Sequence, residues 1–95
     1  MATTVLATHV VVDPKVCGGL PRLDGTRIRV LDVVALHNRG LSPVEILDSY
    51  DSLTLAQVHA ALAYYYDHRA ELERQSRDLR RRVTALRRAH PRLAR

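Results

Sequence analysis

The sequence predicts a mainly α-helical domain with a short β element near its N-terminus, and three observations carry that prediction. β-Branched residues collect early, helix-start signals follow at Ser42 and Thr54, and no glycine or proline interrupts residues 44–90. Ninety-five residues with 46% apolar and 26% charged side chains fit one soluble domain of modest core.

Residues 9–12, His-Val-Val-Val, read as a strand ended by Asp13-Pro14, and residues 26–30 read as a second strand. In the second, Ile28 and Val30 alternate with Arg27 and Arg29, which places two guanidinium groups on one face about 6.6 Å apart at ~3.3 Å per residue. Such a face can grip phosphates or acids. The connection between the strands is too long for a tight hairpin. It is therefore a shaped loop, or a sign that the strands pair elsewhere, exchange between two subunits included.

After Val30 the pattern turns helical. Val33, Val34 and Leu36 sit in a short segment ending at Gly40, a residue suited to a left-handed C-terminal cap. Ser42, Pro43 and Glu45 supply a cap, a first-turn proline and the reach-back acid of a capping box, so a second helix is expected over residues 43–49. Thr54 and Gln57 repeat the signal and open a third. Two short helices and a third begun after a brief turn make a helix-turn-helix core, homeodomain-like or winged-helix-like, with helix three in the recognition position.

Helix three has no evident stop. Val58, Tyr65, Leu72, Leu79, Leu86 and Leu93 recur every seven residues, but the companion positions include His68, Arg69, Gln75, Ser76 and Arg82. One apolar line without a second seam is an amphipathic arm rather than a coiled coil. Running unbroken over residues 54–90 it would reach ~55 Å at 1.5 Å per residue, too long to pack wholly on so small a core. The expected division is a core of residues 1–68, serving dimerisation and DNA binding, and an arginine-rich arm of residues 69–95.

The formal net charge of +5 is unevenly spread. Residues 1–67 hold five basic and seven acidic groups, −2; residues 68–95 hold ten arginines against Glu71, Glu73 and Asp78, +7. A block of that sign seeks a polyanion or an acidic protein surface, and arginine favours bidentate contact with phosphate or carboxylate. The plainer alternative is a solvated helix face that aids solubility.

Other function classes find little support. Cys17 is the single cysteine, which excludes an internal disulfide and fits a reducing, cytoplasmic setting. No basic leader precedes Asp13, and the longest apolar run, residues 60–66, is far short of the ~18 that span a bilayer. Cys17 and the five histidines share no spacing that makes a catalytic or metal set, so we expect no enzyme, cofactor or small-molecule substrate. Gly18, Gly19 and Gly25 read as backbone devices, with no phosphate-binding Gly-Lys-Ser/Thr after them. Tyr64, Tyr65 and Tyr66 read as a mixture of core and subunit-contact residues.

Taken in order, HVVVDPKVCGGLPRLDGTRIRVLDVVALHNRGLSPVEILDSYDSLTLAQVHAALAYYYDH resembles the small bacterial family called domain of unknown function 433. Its pattern is a strand, a D-P-x-x-x-x-G-x-P-x-x-x-G-T-R-I-x-V stretch, an L-S-x-E-E-I helix, and a last helix opening L-x-x-x-x-V-x-A-A-L-x-Y. Arg29 stands where that family often has proline, and Val44 where it often has an acid. The resemblance implies a helix-turn-helix-like fold and the role of antitoxin in a type II toxin–antitoxin pair. The implied partner is a PIN-like ribonuclease toxin with a metal-binding carboxylate cleft; a homodimer and operator DNA are implied as well.

On that expectation the toxin-binding residues are Leu72, Arg77, Leu79, Arg80, Arg81, Val83, Leu86, Arg87 and Arg88 of the arm. Candidate DNA contacts are Arg27, Arg29, Ser52, Thr54 and Gln57, although Thr54 and Gln57 have a simpler use as a capping box. Asp48, Asp51 and Asp67 surround helix three with negative charge. Phosphate contacts would then fall to Arg27, Arg29 or the arm. The alternative is a stand-alone nucleic-acid-binding regulator with no toxin.

Overall fold

The structure, a computed structural model, describes residues 3–90. Three short strands form an antiparallel sheet in the order β1-β2-β3: β1 is Thr4–Ala7, β2 Val10–Val12 and β3 Arg22–Leu23. Four α-helices follow: α1 Val30–Asn38, α2 Pro43–Ser49, α3 Leu55–Asp67 and α4 Arg69–Ala89. Among the described residues no helix is long and apolar enough to cross a membrane.

The N-terminal sheet departs from the two expected strands. β1 and β2 pair through a two-residue turn at Thr8 and His9, with a bulge between Val5 and Ala7. His9 takes a positive φ of 65°, a conformation that histidine tolerates better than most residues. Residues 26–30 are not a strand. Gly25 sits at φ 79°, Thr26 donates its hydroxyl to the Leu23 carbonyl at 2.8 Å and accepts from the Ile28 amide at 3.0 Å, and these bonds close a narrow loop. Leu23, not Ile28, lies in the sheet, paired with Val10. Arg29 makes an isolated bridge to Arg22, and Val30 already begins α1. The apolar alternation still does its work, since Val30 is fully buried and Ile28 packs against the core.

Local chemistry places the first three helices. Asp32 accepts the Arg29 amide at 2.9 Å, the reach-back half of a capping box, and pairs with the Arg29 guanidinium at 2.7 Å. Gly40, at φ 94°, ends α1 as a left-handed cap, and the Leu41 amide reaches back to the Leu36 carbonyl at 3.2 Å. Ser42 and Glu45 cap α2 reciprocally at 2.8 and 3.3 Å, with Pro43 in the first turn. Thr54 and Gln57 do the same for α3 at 2.9 and 3.1 Å.

The long helix expected from Thr54 to His90 is instead two helices broken at His68, whose φ of −130° and ψ of 37° leave the helical region. No glycine or proline marks the place. The His68 amide is shared between the Tyr64 and Tyr65 carbonyls, and its ring stacks on Tyr64 with centroids 4.1 Å apart. The gain lies four residues on: Leu72 turns back into the core and is 1% exposed. Burying a leucine contributes about 2 kcal/mol, and this is the term that favours the break. α4 alone is about 30 Å long, and the molecule's longest extent is 40 Å.

The core is aliphatic, built from Val10, Leu23, Val30, Val33, Ile46 and Val58, each fully buried, with Tyr64 and Tyr65 beside them. Tyr66 lies outside it, 55% exposed, and its hydroxyl meets His37 Nε2 at 2.6 Å, joining α3 to α1. Leu93, last in the seven-residue series, lies outside the described residues, as do Arg92 and Arg95.

Candidate functional site: the outer half of the C-terminal helix

α4 changes character along its length. Its first turn is seated by Leu72 and by Glu73, which accepts from the Tyr65 hydroxyl and from Arg69 Nε, both at 3.1 Å. The Arg69 guanidinium also lies 5.9 Å from the Tyr65 ring centroid. The hydrogen bond from Arg69, then that from Tyr65, lowers the Glu73 carboxyl below its ordinary range. A cavity of about 240 Å³ opens between α1 and α4, with Leu31 and Val34 on one wall and Ser76 and Arg77 on the other.

Beyond Asp78 the helix leaves the core. Residues 80–90 are exposed without exception. Leu79, Val83 and Leu86 follow one another at four and three residues, so they share one face, on which Val83 is 45% and Leu86 52% exposed. Leu79 and Val83 border a shallow depression with Arg29, Arg80 and Arg87. Arginines 74, 77, 80, 81, 82, 87 and 88 number seven against one acid in that stretch, Asp78, a net +6. Asp78 is itself loosely paired with Arg81 at 3.6 Å. A solvent-facing apolar seam flanked by guanidinium groups, most of them without an ion pair among the described residues, can dock in a groove that also presents carboxylates or phosphates.

Most arm residues named from the sequence, Arg77, Leu79, Arg80, Arg81, Val83, Leu86, Arg87 and Arg88, lie together on this segment. Leu72 does not: it is a core residue, and the available seam begins at Leu79. Several of the residues proposed for DNA are engaged within the fold. Arg29 is held by Asp32, whose hydrogen bond is the main cause of its raised pKa, so the two-guanidinium strand face does not exist. Arg27 is exposed on its loop, where its carbonyl accepts from Cys17 Sγ at 3.3 Å. Ser52 is exposed in the turn before α3, while Thr54 and Gln57 are spent on the cap and Gln57 also donates to the Asp24 carbonyl at 3.2 Å. Sequence reading missed the Tyr65–Glu73–Arg69 cluster. Only its Arg69–Glu73 spacing of four was a visible signal; Tyr65 joins through the unforeseen break.

The profile of the family described as "Protein of unknown function (DUF433)" matches residues 10–65, which is 56 of 95 residues. This chain belongs to the DUF433 family. A crystal structure of a DUF433 member protein from Anabaena variabilis is similar to it at 34% identity and a TM-score of 0.66, covering 74% of this chain and 69% of that one. No curated protein matches the chain. In DUF433 terms the profile ends at Tyr65, just ahead of the break, and α4 lies wholly beyond it.

Proposed function

We propose that this DUF433 protein is the antitoxin of a type II toxin–antitoxin pair, inhibiting a PIN-like ribonuclease through the outer half of α4. The observation that carries the reading is the seam of half-buried Leu79 and exposed Val83 and Leu86 with arginines on both flanks, a surface the core leaves unused. The seam supplies apolar docking. The guanidinium groups pair bidentately with the carboxylates that would hold the nuclease's divalent metal, which displaces the ion and closes the cleft to RNA. The core dimerises and contacts operator DNA in a helix-turn-helix mode, with α3 as recognition helix and exposed Arg27 on phosphate. β1, an edge strand without a charged residue and with Val5 73% exposed, is suited to the subunit contact. The chain acts by binding and not as an enzyme, in the cytoplasm.

The test is co-expression with the PIN-like ribonuclease encoded beside this gene. The full chain should co-purify with that nuclease and abolish its cleavage of RNA, and a chain ending at Asp78 should remain folded yet do neither. Absence of such a neighbour, or full inhibition by the shortened chain, rejects the reading. The cut belongs after Asp78 rather than at His68, because Leu72 is part of the core.

A further inference from the structure

Thr84 stands at the centre of the arm's charge. It is the one hydroxyl-bearing residue of α4 beyond Ser76 among the described residues, and it is exposed. Its neighbours one helical turn away in both directions, at positions −4, −3, +3 and +4, are Arg80, Arg81, Arg87 and Arg88. Thr84 also borders both surface depressions of the outer helix, one with Arg80, Arg81 and Arg88, the other with Arg80, Arg87 and Arg29. The acid of the outer helix and the one beside Arg29 are already engaged: Asp78 with Arg81, and Asp32 with Arg29.

We propose that Thr84 is a phosphorylation site whose phosphate is clasped by the helix's own arginines. Arg81 and Arg82 lie three and two residues ahead of it, the arrangement a protein kinase with an acidic substrate groove recognises in an extended chain. Because residues 80–90 are all exposed, unwinding that stretch to reach the kinase uncovers no core residue. Thr84 Oγ attacks the γ-phosphorus of ATP, the bond to the β–γ bridging oxygen breaks, ADP departs, and the hydroxyl proton passes to the kinase's base.

The product carries about −1.5 to −2 charge on three acceptor oxygens within reach of four guanidinium groups. Those groups then bind their own phosphate instead of a partner's carboxylates, and a strongly hydrated anion stands beside Val83. Phosphorylation thus releases the partner. This consequence rests on the partner reading above, whereas the modification itself does not.

The experiment treats the full chain with an arginine-directed protein kinase and ATP. Intact mass should show one phosphoryl group, fragment spectra should place it on Thr84, and Thr84→Val should take up none. Phosphorus NMR should find the phosphate's second pKa below its ordinary value near ~6. It should rise toward that value in the phosphorylated Arg80→Ala, Arg88→Ala double variant. No transfer, transfer elsewhere, or an unshifted pKa overturns the proposal. Poly-aspartate serves as the acidic probe: the unmodified chain should bind it at least ~10-fold more tightly than the phosphorylated one. Equal binding rejects the release step; no binding by either form rejects the acidic-partner reading and leaves the modification standing.

Discussion

Glu73 accepts hydrogen bonds from two helices, Tyr65 of α3 and Arg69 of α4, and this makes the seating of α4 sensitive to acid. Its folded pKa is lowered, so its contribution is complete above the unfolded glutamate value near ~4.3 and is lost as pH falls through the lower folded value. Glu73→Gln should therefore melt below the parent at pH 7 and converge with it in strong acid, as read by thermal unfolding across pH. Asp32 works by a different route, accepting the first orphan amide of α1 as well as pairing with Arg29. Asp32→Ala should cost about 1 kcal/mol in denaturant unfolding at neutral pH. Charge reversal of Arg29 alone should leave the amide cap in place and cost less.

Leu72 and Leu86 occupy the same helix and the same seven-residue series, yet the break at His68 gives them opposite fates. Leu72→Ala should destabilise the fold by about 2–5 kcal/mol and release α4 from α3, whereas Leu86→Ala should stay within about 0.5 kcal/mol. Urea unfolding of the two variants checks the contrast. The same pair shows where sequence was legible. Ser42 with Glu45, Thr54 with Gln57, and Gly40 after α1 are contacts made within one turn, so spacing alone located the helices they bound. β1, β3 and the break are tertiary decisions. Thr8-His9 lacks the glycine that normally announces a hairpin, and Leu23 enters the sheet because Thr26 folds the following residues away from it. His68 breaks the helix so that Leu72, four residues on, can reach the core, and no residue near 68 records that demand. The arm's arginines and seam were legible because an exposed face answers only to its own sequence; its inner limit at Leu79 was not.

Seen whole, the molecule carries its charge in two zones, −2 over residues 1–67 and +7 over residues 68–95. Binding to polyanions or acidic surfaces through the second zone should weaken steeply with salt, and core stability should not. If operator contact uses the core, Arg27→Ala should flatten the slope of log affinity against log salt by about 1 without shifting the melting temperature. An unchanged slope would place the DNA contact elsewhere or nowhere. The break at His68 also bears on how such a protein diversifies. Among the described residues the last core residue is Leu72, and residues 80–90 are exposed. The tip is thus an exchangeable part, open to substitution, lengthening or replacement by another chain's tip at little cost to folding. Transplanting the last turns of a second DUF433 protein onto this one at residue 79 should carry that protein's partner preference with them.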